Sequence, residues 1–265
     1  MSDTDAVWSS VSAVRERNPL VQCITNYVAM DVAANVLLAA GASPAMVHDQ
    51  DEAGEFTAIA DAVTINIGTL SAHWVKGMHA AIAGAKRHRK PWVLDPVGVG
   101  ATRHRTEIAR DLALAGPAVI RGNASEILAL AGAADGVTRG VDSTHTSDQA
   151  LDAAAALARE TGSIVAVTGA VDRVTDGNRV LSVENGHPLM TQVTALGCAL
   201  TGLVGAYLAV RPDPLTATAH ALAVFGLAGE RAAATSEGPG SLRWRLLDEL
   251  YGLDEAAVRQ GVRLA

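Results

Sequence analysis

The stretch Trp92-Val-Leu-Asp-Pro-Val-Gly98 decides the fold. Its first four residues are an apolar run that ends on a carboxylate and stops at the Asp95-Pro96 turn, which reads as a short buried strand. Thr106–Ala115 then has helical periodicity, Ala118–Arg121 is a second strand-like run, and Ser125–Ala131 is helical again. Strands separated by helices pair in parallel, because a parallel neighbour needs a long crossover.

The alternation extends in both directions. Leu20–Thr25, Pro44–Val47, Ala62–Ile67 and Ile164–Thr168 predict further strands, with helices over Tyr27–Ala40, Ser71–Arg89 and Asp148–Glu160. Beyond Thr168 the pattern changes. Val171–Thr175, the turn Asp176-Gly177-Asn178 and Arg179–Val183 read as a hairpin. The last third predicts helices at Ala199–Val210, Leu215–Ser236 and Ser241–Tyr251, with a final turn near Asp254–Leu264. No linker, repeat or low-complexity tract interrupts the chain, so residues 1–265 are expected to form one α/β domain with a mainly parallel sheet covered on both faces.

Half the residues are hydrophobic (49%) yet only 3% are aromatic, so the core must be built from Ala, Val, Leu and Ile. Charged residues make up 18%, below the ordinary share, which points to surface covered by another subunit. A net charge of −7 argues against nucleic acid as a partner. Two cysteines, Cys23 and Cys198, form no disulfide framework and suit a reducing, cytoplasmic setting. The N-terminal segment has no apolar signal core, so no export is expected. Thr191–Val210 carries no charge, but the Thr, Gln and Gly near its front favour a buried strand-turn-helix over a membrane span.

Thr191-Gln-Val-Thr-Ala-Leu-Gly-Cys198 reads as a strand, a turn at Gly197 and a helix N-terminus whose free N–H groups favour an anion. Cys198 in the first turn is expected to have a lowered thiol pKa, while a second reading makes it a small buried hydrophobe. Asp95 stands at the C-terminal end of a strand, where open α/β sheets bind ligands, though an Asp-Pro turn is the rival reading. In Val119-Ile-Arg-Gly-Asn-Ala-Ser-Glu126, Arg121 suits a phosphate, and Glu126 either orients water around Mg²⁺ or caps the helix. Thr168 at a strand end suits a phosphate oxygen or an ordinary turn. Gly238-Pro-Gly-Ser241 reads as a turn with Ser241 as helix N-cap. Lys86-Arg-His-Arg-Lys90 is read as a solvated helix end, and His73 and His79 are spaced for different helix faces rather than for a metal. There is no Gly-Lys-Ser/Thr P-loop, and Gly98-Val99-Gly100 lacks the third glycine of a dinucleotide fingerprint.

Taken in order, Cys-Ile-Thr-Asn-Tyr-Val (23–28), Gly-Ala-Ser-Pro-Ala-Met (41–46), Ile-Asn-Ile-Gly-Thr-Leu (65–70) and Asp-Pro-Val-Gly-Val-Gly-Ala-Thr (95–102) begin a distinctive series. Arg-Gly-Asn-Ala-Ser-Glu (121–126), Val-Thr-Gly (167–169), Gly-Cys (197–198) and Gly-Pro-Gly-Ser (238–241) complete it. This series resembles the hydroxyethylthiazole kinases over nearly the whole chain. The resemblance implies a ribokinase-like three-layer α/β/α fold, ATP with Mg²⁺, phosphorylation of the thiazole alcohol in thiamine salvage, and a homotrimer with interfacial active sites. It implies nucleotide binding by Arg121 and Thr168, a thiazole site at Met46 and Ala195 with Asn26 and Gly68 as neighbours, and acidic groups Asp95 and Glu126 beside metal and phosphates. It further implies that Gly197 and Cys198 fall at the catalytic positions. Many relatives read Thr-Gly-Thr-Gly-Cys where this chain has Thr194-Ala-Leu-Gly-Cys198, a departure that bears on substrate range. Two enzymes of the same fold are the rival expectations, a dehydratase of hydrated nicotinamide nucleotides and a hydroxymethylpyrimidine kinase. The former usually has Asp at the Cys198 position. A ligand-binding regulator without catalysis is a third, disfavoured by the retained Arg121, Asp95, Glu126 and Gly197.

Overall fold

Eight strands are joined into one sheet: β1 (Leu20–Ile24), β2 (Ser43–Ala45), β3 (Ala62–Asn66), β4 (Trp92–Asp95), β5 (Val119–Asn123), β6 (Ile164–Thr168), β7 (Asp172–Thr175) and β8 (Val180–Val183). This computed structural model describes residues 3–132 and 148–265. The spatial order is β2-β1-β3-β4-β5-β6-β7-β8. The pairings from β2 through β6 are parallel, and β7 and β8 form the expected antiparallel hairpin.

The helices follow from the segments between strands. In chain order they are α1 (Asp3–Arg17), α2 (Met30–Ala40), α3 (Ala53–Phe56), α4 (Ala72–His88), α5 (Arg103–Leu114), α6 (Ala124–Gly132), α7 (Leu151–Thr161), α8 (Leu196–Val210), α9 (Pro214–Thr235), α10 (Pro239–Gly252) and α11 (Glu255–Gly261). Successive side chains of a strand point to opposite faces, so each strand feeds two cores. Val21, Cys23, Val93, Val119 and Ala166 join α1, α2, α8, α9 and α10 on one face. Ile24, Val63, Ile65, Leu94, Ile120, Val165 and Val167 join α4, α5, α6 and α7 on the other. This is the ribokinase-like three-layer architecture. Leu94 is fully buried, and its truncation to Ala would cost about 2–5 kcal/mol.

Three local expectations are corrected. Thr191–Thr194 is not a strand. Pro188–Gln192 is a short 3-10 helix packed against α9 and α10. The turn into α8 falls at Ala195, with φ +67°, and Gly197 lies inside the helix. Helix α10 begins at Pro239, and Ser241 caps it from within: its hydroxyl accepts the N–H groups of Glu237 and Gly238. The sequence reading also missed α1, whose Val7, Val11 and Val14 are buried on one stripe. Among the described residues no helix is long and apolar enough to cross a membrane.

Candidate active site

The chain leaves β1 toward β2 on one side, whereas β3 and its successors build away on the other. Such a reversal opens a crevice beyond the C-terminal ends of the two central strands. Polar residues gather there. Asn26 follows β1, Asn66 ends β3, Asp95 ends β4, Asn123 ends β5 and Thr168 ends β6. Parallel register sets Asn66 beside Asp95 and Asn123 beside Thr168. The first turn of α8 comes down on the same edge.

A continuous chain of hydrogen bonds crosses the crevice. The Asn26 amide donates to the Cys198 Sγ at 3.3 Å and to Asn66 Oδ1 at 2.9 Å. Asn66 donates in turn to Asp95 Oδ2 at 2.8 Å, and the Thr201 hydroxyl donates to the same oxygen at 2.8 Å. Asn26 is oriented by its own backbone, since its Oδ1 accepts the N–H groups of Val28 and Ala29. Gly68 donates its N–H to Asn66 Oδ1 at 2.9 Å, and a Cβ at Gly68 would meet the Asn26 amide at 2.6 Å. Met46 follows β2 at the same end of the sheet, one strand beyond Asn26, where Gln22 ties down the next carbonyl, Val47 O, at 3.1 Å.

Charge is concentrated on the β5 side. The Arg121 guanidinium donates to the Thr168 hydroxyl at 2.8 Å and stands 3.9 Å from Asp95 Oδ2. Burial pushes the Asp95 carboxyl up to about 6, with the Arg121 charge opposing the shift, Glu126 adding to it, and the Thr201 and Asn66 hydrogen bonds opposing it. Asp172 is likewise raised to about 6 by burial, against the Gly169 N–H and Arg121. Glu126 closes the start of α6: its Oε2 accepts the Asn123 N–H, Asn123 Oδ1 accepts the Glu126 N–H, and Glu126 Oε1 accepts the Gly98 N–H, each at 2.9 Å. Capping and loop-holding are therefore both roles of Glu126.

The expectation of a lowered Cys198 pKa is corrected. Burial and the nearby Asp95 carboxylate raise it, outweighing the Asn26 and Asn66 hydrogen bonds and Arg121. A helix N-terminus favours a thiolate only where its field is not cancelled by desolvation and a like charge. Cys23, deep in the sheet, is raised to about 11 by burial. Sequence reasoning missed Asn66 and Thr201. Each is a polar residue in an apolar element, a signal that a period-based reading passes over.

Asp95 and Glu126 are buried carboxylates close enough to repel one another, and among the described residues Asp95 Oδ1 has no hydrogen-bond partner. A buried carboxylate oxygen without a partner suits a divalent cation. Among the described residues no group of three or more His, Cys, Asp or Glu could hold a metal as a cage. The Asp95–Glu126 pair fits Mg²⁺, which is bound by one or two carboxylates and completed by water and substrate phosphates.

A ribokinase-like sheet with a guanidinium, buried carboxylates and a helix N-terminus at one crevice, and without a P-loop, defines a small-molecule kinase of the ribokinase-like class. Within that class the chain belongs to the hydroxyethylthiazole kinase family, whose family model matches residues 11–256. A hydroxyethylthiazole kinase of Cereibacter sphaeroides is 58% identical over 260 residues, 98% of either chain. The solved structure of a hydroxyethylthiazole kinase protein from Pyrococcus horikoshii superposes with a TM-score of 0.92 at 43% identity, covering 98% of both chains. A ribokinase-like superfamily protein of Enterococcus faecalis shares the fold, with a TM-score of 0.63 at 14% identity over 91% of this chain and 88% of that one.

Proposed function

We propose that this protein, as a single catalytic domain, transfers the γ-phosphoryl group of ATP to the hydroxyl of 4-methyl-5-(2-hydroxyethyl)thiazole. The observation that carries the reading is the meeting of two unlike half-sites where Arg121 stands 3.9 Å from Asp95, the carboxylate that ends the Cys198–Asn26–Asn66 hydrogen-bond chain. The anion-binding half is Arg121, Thr168 and the N-terminus of α8, and the alcohol half is Asn26, Gly68 and Cys198.

Arg121 and Thr168 hold the nucleotide phosphates, and the N–H groups at the start of α8 stabilise the migrating phosphoryl oxygens. Met46 and Ala195 line the thiazole ring's side of the crevice, next to Asn26 and Gly68. Asp95 and Glu126 are the residues that would hold Mg²⁺, the latter through water because both its oxygens already accept backbone N–H groups. When bound, Mg²⁺ supplies charge neutralisation to the polyphosphate. The alcohol attacks in line, and its O–P bond forms as the bond to ADP breaks. Phosphoryl transfer runs through a loose transition state, so little proton removal is needed early. Cys198, held as a neutral thiol, orients the alcohol, and Asn26 fixes that thiol.

The protein is further proposed to act in thiamine salvage in the cytoplasm as a homotrimer. Supporting the assembly are the exposed Tyr27 and Val28 beside Asn26, together with exposed Leu38 and Trp244. Light scattering at three times the chain mass checks it.

The test of function is phosphate transfer from ATP to the thiazole alcohol, with hydroxymethylpyrimidine as parallel acceptor. Mg²⁺-dependent formation of the thiazole phosphate, with little or none of the pyrimidine phosphate, is the expected result. No transfer to the thiazole would sink the assignment.

A further inference from the structure

Helix α5 begins against the electrostatic grain. Its first turn is Arg103-His-Arg105 with no acidic residue, although cations at a helix N-terminus cost a few tenths to about 1 kcal/mol each. Arg103 is compensated by Glu107 at 2.7 Å. Arg105 turns away from its own helix and reaches over the sheet edge. Its Nη1 donates to the Ile67 and Val97 carbonyls, the latter at 2.9 Å, and its Nη2 donates to Gly68 O at 3.3 Å.

Two of these acceptors lie on peptide planes whose other ends are held by the active site. The Ile67 carbonyl shares a peptide with the Gly68 N–H, which donates to Asn66 Oδ1. The Val97 carbonyl shares a peptide with the Gly98 N–H, which donates to Glu126 Oε1. Gly98 has φ +69°, a left-handed conformation that turns this peptide inward and that a side chain resists. One guanidinium thus grips the C=O ends of two planes, while Asn66 and Glu126 grip the N–H ends.

We propose that Arg105 is a positioning residue that sets the alcohol-side loop at 67–68 against the carboxylate-side loop at 96–98. It touches neither reactant. It fixes, through the backbone, the separation between the Asn26–Asn66 half of the site and the Asp95–Glu126 half, alongside the direct Asn66–Asp95 hydrogen bond. A planar five-donor fork can serve three carbonyls at once, and an ammonium on a flexible stem cannot reproduce that geometry. This inference rests on the kinase reading for its kinetic consequence, but the loop coupling itself does not.

The experiment compares Arg105→Lys and Arg105→Ala with the wild type. Steady-state kinetics should show kcat lower by about tenfold to a hundredfold in Arg105→Lys, with both KM values within about threefold, the mark of misplacement rather than lost binding. Site-resolved hydrogen exchange should show the Gly68 and Gly98 amides losing protection together in either variant. Unchanged protection at both amides overturns the proposal, as does loss at one amide alone. Wild-type kcat in Arg105→Lys overturns the geometric argument, as does a rise in either KM with kcat intact. Should Arg105→Ala fail to fold, Arg105→Lys retains the charge and most of the stem and carries the test. If the wild type phosphorylates no alcohol, the kinase reading fails, and the amide exchange still decides the coupling.

Discussion

Arg121 lies across the first turn of α8 so closely that Gly197 has no room for a side chain: a Cβ there would stand 2.8 Å from Arg121 Nη1. The absence of one methyl group thus brings a guanidinium, a helix N-terminus, the Asp95 carboxylate and the Thr168 hydroxyl to one point. Gly197 was read as the residue that turns the chain, and its role is instead to let Arg121 approach.

Gly197→Ala should therefore damage nucleotide binding without unfolding the protein. The methyl would push Arg121 from Thr168, and KM for ATP should rise about tenfold, the value of one charge-assisted contact. Alanine inside a helix is favoured over glycine by about 1 kcal/mol, so the melting temperature should hold or rise. An unchanged KM for ATP would remove Arg121 from the nucleotide site.

Cys198 offers a second test. Because its thiol pKa is raised rather than lowered, the thiolate is scarce at neutral pH. Alkylation by iodoacetamide should be slow at pH 7 and still accelerating above pH 9. Cys198→Ala should lower kcat by less than about a hundredfold, where loss of a true general base costs about 10²–10⁴. Complete inactivity of that variant would instead require an essential proton acceptor at this position.

The parallel strands were legible because each is a run of apolar residues ending at a turn, and Trp92–Asp95 and Ile164–Thr168 match to the residue. Thr191–Thr194 misled because β-branched residues mark a strand only where a neighbouring strand pairs with them, and the adjoining 3-10 turn packs on α9 and α10 instead. Helix α1 was overlooked because its valine stripe sits in a polar segment read only for export. Asp95 and Arg121 were legible as polar residues at strand ends, and Asn26 only through the family resemblance. Asn66, Thr201 and Arg105 were not, because each acts on a group that only the folded sheet brings near.

A third prediction concerns acid stability, far from the crevice. His220 is buried, its Nδ1 2.7 Å from the Ser10 hydroxyl, and Arg211 Nε donates to the same hydroxyl at 2.7 Å. Burial, then the Arg211 charge, lower its pKa to about 4, with Asp3 and Asp213 opposing. The folded state therefore binds this proton more weakly than the unfolded state. Its contribution is complete above pH 6.5 and is lost as pH falls toward 4, by about 3 kcal/mol in all. His220→Asn keeps an acceptor near the Nδ1 position and cannot charge, so its melting temperature should fall less between pH 6.5 and 4 than that of the wild type. Parallel curves would assign the acid loss to other groups.

Ala195 carries the last prediction. It holds φ +67°, ψ 0° immediately before α8, a left-handed conformation that costs a residue with a Cβ about 1–2 kcal/mol, and its side chain makes no capping bond in return. The methyl is partly buried against the core on the α8 face, which offsets some of that cost. Ala195→Gly should therefore stabilise by about 0.5–1 kcal/mol, raising the melting temperature by about 1–3 °C. The backbone already has the shape glycine prefers, so the N–H groups opening α8 should not move and kcat should stay within about twofold. What should change is the space beside the thiazole ring. KM for the thiazole alcohol should rise modestly, and alcohols with a bulkier ring substituent should gain relative to it. A fall in melting temperature would mean that the methyl packs better than the strain costs. An unchanged acceptor preference would take Ala195 out of the thiazole pocket.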